Sequence, residues 1–328
     1  MSAALTTIRN YRRNKPIAMQ DWQSILNAHC TTNGRSTDRL TPILRRIKPR
    51  RPAADATGLL GHFSVADQKR IADQIARDGV YIFEEKMPEV VCDAIEAFAR
   101  RTPAAVYGDF GLVGEPSVYD PAHPLDRLYK FREADSLAEP GVQTLLADDA
   151  ILRIAETYLD TQAVLGGIDA WWSAPYGNGP SSEAAQLFHF DFDAPPRWLK
   201  LFVYVTPVGH QNGPHAFVKG SHKAGLPSAG TILARGYKRV TDEDIDEVYG
   251  AQATTEICGA RGTVFLADTR GFHKGKPPTG GDRLVCQLLY CSPVFSTRET
   301  KITSASSFSP ALSAAIARNP AAFIRYTA

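Results

Sequence analysis

The segment Leu187-Phe-His-Phe-Asp-Phe-Asp193 sets an imidazole and two carboxylates at every second residue. Side chains alternate across an extended strand, so His189, Asp191 and Asp193 share one face, and Phe188, Phe190 and Phe192 share the other. Three aromatic rings can bury one face in apolar packing. The opposite face then carries an imidazole and a carboxylate close enough to reach one ion. A neutral histidine nitrogen with one carboxylate oxygen suits a borderline divalent metal such as Fe(II). For so short a pattern the alternative is a His–Asp hydrogen bond on a half-buried strand.

A metal held this way needs a third ligand from a distant strand. Gly262-Thr-Val-Phe-Leu-Ala267 reads as a strand, and the run that follows it, Asp268-Thr-Arg-Gly-Phe-His273, ends on a histidine. Ten residues later Arg283 heads a further apolar run, Leu284-Val-Cys-Gln-Leu-Leu-Tyr290. The Gly/Pro-rich turn Lys276-Pro-Pro-Thr-Gly-Gly-Asp282 sets His273 and Arg283 on neighbouring strands. An arginine buried at the head of an apolar strand needs an anion, because an unpaired buried charge is costly. A carboxylate gripped by both arms of the guanidinium satisfies it.

His189-x-Asp191, Trp198-Leu-Lys-Leu-Phe-Val-Tyr-Val-Thr-Pro-Val208, Asn212-Gly-Pro-His-Ala-Phe-Val-Lys-Gly-Ser-His222, His273 and Arg283 occur in that order. The ordered set resembles the phytanoyl-CoA dioxygenase-like family of Fe(II)/2-oxoglutarate-dependent oxygenases, and the resemblance covers about 64–295. It implies an α+β, mainly β fold: a double-stranded β-helix, or jelly roll, of cupin-like type with flanking α-helices. It implies Fe(II) held by His189, Asp191 and His273, the distal carboxylate of 2-oxoglutarate on Arg283, and O2 as the second cosubstrate. The reaction implied is oxidation of a small metabolite, lipid or biosynthetic intermediate with release of succinate and CO2. Related halogenases carry a small residue in place of the carboxylate ligand; Asp191 keeps it, which favours hydroxylation or another oxidation over halogenation.

The remaining polar residues near these motifs each have two readings. Lys200, in an otherwise apolar strand, either helps to bind the 2-oxoglutarate carboxylate or snorkels from an edge position. Arg197 and Trp198 either line the substrate mouth or serve as a surface charge and a packing ring. Arg270, Lys274 and Lys276 flank His273 and would favour an anionic substrate if they faced it. Asp193 is expected to support the ligands from behind. His215 and His222 frame a segment that the family uses as a structural turn, and neither is expected to bind metal.

These residues are carried by two textures of chain. Ser64-Val-Ala-Asp67 is a helix-start pattern, Ile71, Ala72 and Ile75 form an apolar stripe, and Gly79 is a stop signal, so a helix of about four turns is expected. Val80–Phe83 reads as a strand, 88–101 as a helix, and 139–159 as a helical region broken in its middle. From Leu165 onward, short apolar runs at 165–173, 187–192, 199–206, 215–218, 254–258, 263–267 and 284–292 alternate with Gly, Pro, Asn and Asp, the texture of an antiparallel sandwich or barrel. Residues 102–135, rich in Gly, Pro and Tyr, read as an irregular segment, part of which is expected to cover the metal.

The chain has 328 residues with 37 Lys+Arg, 35 Asp+Glu and a net charge of +2. Residues 1–52 alone carry +9, which leaves −7 for the rest. Three parts follow: a basic N-terminal arm and linker at 1–61, the oxygenase domain with its N-terminal helices at 62–295, and a tail with one short helix at 296–328. The arm is expected to pack on the chain's own acidic body or a second subunit, with an anionic surface as the alternative; no nucleic acid is expected. Five cysteines without a paired spacing, no membrane-length apolar run and no secretory signal place the protein in the cytoplasm. The expected partner is a small-molecule substrate. Two other functions fit part of the pattern. One is a cupin-like metal enzyme that does not use 2-oxoglutarate, with Arg283 structural. The other is a non-catalytic jelly-roll binding module.

Overall fold

Ser64 caps the first of the expected helices as its sequence directs: its hydroxyl accepts from the Asp67 amide while the Asp67 carboxylate accepts from the Ser64 amide. The helix ends at Gly79, whose φ of 86° is the left-handed conformation a glycine adopts without strain. The computed structural model describes residues 3–13, 15, 18–177, 179–182, 184–223, 232, 234, 236, 239–292, 301–304 and 306–328. Its helices are α1 (Ala3–Arg13), α2 (Met19–Thr31), α3 (Arg35–Ile47), α4 (Val65–Asp78), α5 (Glu89–Arg101), α6 (Glu133–Ala138), α7 (Pro140–Leu146), α8 (Asp149–Leu159), α9 (Asp242–Tyr249) and α10 (Pro310–Arg318). Its strands are β1 (Ala56–Gly58), β2 (Gly61–Phe63), β3 (Val80–Ile82), β4 (Ala105–Gly108), β5 (Gly111–Leu112), β6 (Leu128–Lys130), β7 (Val164–Ser173), β8 (Trp198–Tyr204), β9 (His215–Val218), β10 (Thr254–Ile257), β11 (Val264–Ala267), β12 (His273–Gly275), β13 (Arg283–Cys291), β14 (Ile302–Thr303) and β15 (Tyr326–Thr327). Among the described residues, no helix is long and apolar enough to cross a membrane.

The large sheet runs β3-β11-β8-β13-β7-β6-β4-β5, with antiparallel neighbours throughout. A smaller antiparallel sheet, β10-β9-β12, faces it. Together they form the double-stranded β-helix. Alternation sorts the side chains of the large sheet. Ile168, Ala170 and Trp172 of β7, Leu199, Leu201 and Val203 of β8, and Leu284, Cys286 and Leu288 of β13 join a core with Ile71 and Ile75 of α4, Ile95 of α5 and Ile151 of α8. The opposite face of the same strands carries Asp169, Lys200, Arg283 and Gln287 and turns toward the smaller sheet. Segment 187–192, expected as a strand, forms only isolated bridges, Phe188 to Val240 and His189 to His273. Its alternation persists nonetheless: Phe188, Phe190 and Phe192 are all buried in one cluster.

That cluster is closed by the N-terminal segment. Ile25, Leu26 and Cys30 of α2 and Leu44 of α3 pack with the three phenylalanines, and the Trp22 indole donates to the Phe192 carbonyl at 3.1 Å. Its arginines meet carboxylates on the body: Arg45 with Asp160 at 2.6 Å, and Arg51 with Asp149 and Glu156, each at 2.8 Å. The stretch expected as a linker holds the hairpin β1–β2, whose Leu59 amide donates to Asp148 at 2.6 Å. The segment expected to be irregular, 102–135, contributes β4, β5 and β6 to the large sheet; strands of two to four residues are too short to show a period in sequence. In the tail, α10 lies where a helix is expected, and Arg325, fully buried, bonds Glu133 at 2.8 Å and the Gly166 carbonyl at 2.6 Å. Residues 293–300 and 305 of the tail lie outside the described residues.

Between β11 and β12 the chain is pinned by a buried ion pair. Arg270 meets the fully buried Asp268 at 2.5 Å and Asp38 of α3 at 3.0 Å, and the Tyr158 hydroxyl donates to Asp268. Burial would raise the Asp268 carboxyl, but the Arg270 charge outweighs it and holds the group well below the usual carboxylate range. A carboxyl depressed in the folded state contributes stability above its unfolded pKa of about 3.9, and that stability is lost as the pH falls through the folded value. Asp268→Asn should therefore cost about 3–5 kcal/mol at neutral pH, because it leaves a buried guanidinium short of its partner. The cost should shrink progressively below about pH 4. Urea denaturation of both proteins from pH 7 to pH 3 measures it, and a pH-independent difference would contradict this account.

Candidate metal centre and cavity

His189 and His273 exchange both backbone hydrogen bonds, His189 N–H to the His273 carbonyl at 3.0 Å and the reverse at 2.8 Å. Residues paired this way project their side chains to one side of the ribbon, and the two imidazole centroids lie 4.4 Å apart. Each Nδ1 sits 2.9 Å from the carbonyl two residues earlier, Leu187 for His189 and Gly271 for His273. A carbonyl can only accept, so each Nδ1 bears the hydrogen and each Nε2 presents a lone pair. Burial and the neighbouring His273 keep the His189 imidazole well below its usual range, hence neutral. A neutral ring is the form a metal requires.

Asp191 completes the cluster from the same ribbon, positioned by its amide bond to the Thr269 carbonyl at 2.7 Å. Its Oδ1 lies 3.8 Å from His189 Nε2 and its Oδ2 3.3 Å from His273 Nε2. The three ligand atoms all fall within 4.8 Å of one another. Two bare imidazole nitrogens and one carboxylate on one side of a cavity are the donor set that suits non-haem Fe(II). A second group, His210, Glu256 and Cys258, also clusters. It is largely exposed, and its Glu256 is occupied by the Lys276 ammonium.

Lys200 lines the same cavity as Arg283, with its ammonium engaged by carboxylates of the chain. It is buried rather than at an edge, and it lies opposite Leu289, six residues along β13 from Arg283. Its ammonium contacts Asp191 Oδ2 at 2.6 Å and Asp193 Oδ2 at 2.8 Å. Burial alone would lower the Lys200 pKa, but the two carboxylates outweigh it and push it up. For Asp191, burial is likewise overridden, first by Lys200 and then by His273, and the carboxyl stays well below its usual range.

Arg283 is buried with neutral partners: it donates to the Gly213 carbonyl and, at 3.2 Å, to the Ser173 hydroxyl. Its Nε has no partner, and among the described residues no carboxylate pairs with it. Burial lowers its pKa, against the opposing influence of Tyr204. A guanidinium in this position can receive an anion. It fits against β12 because Gly275 has no side chain there; a Cβ would lie 2.8 Å from its Nη2.

A cavity of about 260 Å³ is lined by the His189, Asp191 and His273 cluster, by Lys200, and by Arg283. Lys130, Asp169, Trp171, His215 and Gln287 also line it, none of them singled out for this role by sequence. Asp169 pairs with Lys130 at 2.6 Å and accepts from Gln287 at 3.2 Å. The available signal was a polar residue inside an otherwise apolar strand, as in Ile168-Asp169-Ala170 and Cys286-Gln287-Leu288. Other expected residues lie elsewhere. Arg197 stacks over Tyr158, and the Trp198 indole is fully buried, donating to Thr269 at 2.9 Å. Arg270, Lys274 and Lys276 are neutralised by Asp268, Asp242 and Glu256 and do not line the cavity. Of segment 102–135, only Leu128 and Lys130 reach it, while Tyr119 and Tyr129 pack in the core.

The sequence matches the family model described as Phytanoyl-CoA dioxygenase (PhyH) over residues 75–285. No curated protein matches it. Among solved structures, EctD from S. alaskensis with bound Fe is similar at 20% identity and a TM-score of 0.49, covering 74% of this chain and 82% of that one. HygX from Streptomyces hygroscopicus, with nickel and 2-oxoglutarate bound, is similar at 17% identity and a TM-score of 0.46, covering 67% and 85%. AviO1 from Streptomyces viridochromogenes Tue57 is similar at 17% and 0.46, covering 68% and 94%.

The Lys200 contacts generate a measurable consequence. Lys200→Met removes the buried cation between two partly buried carboxylates and should cost about 2–4 kcal/mol without added metal. Added Co(II) should raise the melting midpoint of the variant more than that of the parent, since a bound cation replaces the lost charge. Scanning fluorimetry with and without Co(II) reads both; equal shifts would mean that the ion does not sit against Asp191.

Proposed function

Since this chain belongs to the phytanoyl-CoA dioxygenase family of Fe(II)- and 2-oxoglutarate-dependent oxygenases, we propose that it hydroxylates an unactivated C–H bond of a small metabolite or biosynthetic intermediate. The observation that carries this reading is the placement in one cavity of a His189, Asp191 and His273 cluster and a buried arginine, Arg283, that no carboxylate among the described residues pairs. Bound Fe(II) supplies the redox chemistry by which 2-oxoglutarate and O2 yield succinate, CO2 and an oxygen atom for the substrate.

The protein's own part is to hold and to orient. His189 and His273 hold the metal through Nε2, their rings locked by the carbonyls behind Nδ1. Asp191 contributes the carboxylate, kept ionised by Lys200, whose ammonium also fixes the direction of the group. Arg283 receives the distal carboxylate of 2-oxoglutarate. Trp171, Asp169, Lys130 and Gln287 form the wall available to the substrate, a mixture of one large ring and hydrogen-bonding groups that fits a compact polar molecule. The carboxylate at Asp191 favours hydroxylation over halogenation, which needs room for a halide at that position. We place the reaction in the cytoplasm, in keeping with five cysteines that form no disulfide.

Anaerobic addition of 2-oxoglutarate to the Fe(II)-loaded protein should produce a visible charge-transfer band. Asp191→Ala should abolish that band and substrate-dependent succinate release. Arg283→Ala should keep Fe(II) binding and raise the 2-oxoglutarate concentration needed for half-saturation about 10- to 100-fold, the cost of a charged hydrogen-bonding partner. Turnover indifferent to 2-oxoglutarate in the parent protein would instead favour a metal enzyme that does not use the oxo acid, with Arg283 structural.

A further inference from the structure

His215 opens β9 in a setting that asks nothing polar of it. Its ring lies 4.9 Å from Phe202, 5.3 Å from Phe265 and 6.5 Å from Phe217, and stacks at 20° on His273 with centroids 5.3 Å apart. A leucine or phenylalanine would pack there without a polar atom to satisfy. The imidazole is 6% exposed, and its Nε2 is buried without a hydrogen-bond partner. An unpaired buried nitrogen is costly, so its retention calls for a partner that enters from the cavity His215 lines.

The register of the small sheet identifies where that partner would lie. His215 is the cross-strand neighbour of Gly275, and Gly275 stands two residues beyond His273 on β12. Arg283 Nη2 occupies the space a side chain at Gly275 would need. One short stretch of β12 therefore has the metal cluster at one end and the anion receptor at the other, about 7 Å apart along the strand, with His215 alongside. A five-carbon diacid anchored at both ends must pass the His215 ring.

We infer that His215 is a cosubstrate-positioning residue that donates a hydrogen bond from its imidazole to 2-oxoglutarate, an inference that rests on the oxygenase reading above. The backbone supports the placement: the His215 amide donates to the Tyr204 hydroxyl at 3.0 Å, which in turn donates to the Ile257 carbonyl at 2.9 Å, so the head of β9 is tied to both sheets.

The test uses the full chain loaded with Fe(II) under anaerobic conditions and titrated with 2-oxoglutarate, read by the charge-transfer band. His215→Leu keeps the apolar packing and removes the donor; His215→Gln keeps a donor. His215→Leu should weaken 2-oxoglutarate binding about tenfold and leave Fe(II) affinity, measured separately without 2-oxoglutarate, within about twofold. His215→Gln should recover most of the loss. Unchanged 2-oxoglutarate affinity in His215→Leu overturns the inference, as does equal weakening in both variants accompanied by lost Fe(II) affinity, which is the signature of a packing role. Absence of the band in the unmodified protein overturns the oxygenase reading and the role of His215 with it.

Discussion

The pleat of three strands constrains everything else in this molecule. On β7, β8 and β13 successive side chains enter two incompatible environments, an apolar core against the helices and a polar cavity between the sheets. The period is two, so a slip of one residue would carry Lys200, Asp169, Arg283 and Gln287 into the helix-facing core and turn Trp172, Leu201 and Leu288 into the cavity. That penalty fixes the register more firmly than the backbone hydrogen bonds, which a slipped pairing would regain.

Within the cavity, charge is distributed unevenly. Lys200 carries one positive charge against the two negative charges of Asp191 and Asp193, while the imidazole of His189 is held neutral. Two carboxylates beside neutral imidazole favour a cation at that end. Arg283 has only neutral partners and leaves its end positive. Elsewhere buried guanidinium groups have carboxylate partners, Arg270 in Asp268 and Asp38, and Arg325 in Glu133. The two ends of the cavity are where the family's metal and its dicarboxylate would each lower the electrostatic cost of the folded state.

Much of this was legible in the amino-acid sequence, and what was not has a common cause. Strands such as 215–218 and 284–292 announce themselves because burial on both faces leaves a mainly apolar run, broken only where a polar side chain enters the cavity, as at His215 and Gln287. Helix α4 is written in its cap, stripe and terminal glycine. The facing of 187–193 was readable even though the segment lacks a regular ladder, because alternation survives wherever the backbone is extended. Partners distant in the chain were hidden. Lys274 next to His273 reads as a cation available to substrate until Asp242, 32 residues away, is seen to hold it. Arg270 is held by Asp38, 232 residues away. His215 was hidden differently: the Asn-Gly-Pro that precedes it reads as a turn, and attention to the turn obscured a lone polar residue heading an apolar strand.

The packing of the N-terminal helices on the phenylalanine face bears on how this polypeptide can be divided. The segment that matches the family begins at 75, inside α4, and ends at 285, inside β13. It also omits Ile25, Leu26, Cys30 and Leu44, which close the cluster around Phe188, Phe190 and Phe192. A fragment cut at those limits would expose three aromatic rings on the back of the ribbon that carries His189 and Asp191, a surface prone to self-association. The unit recognisable by descent is thus smaller than the unit that closes the phenylalanine cluster, and the N-terminal helices are the cover for the back of the ribbon.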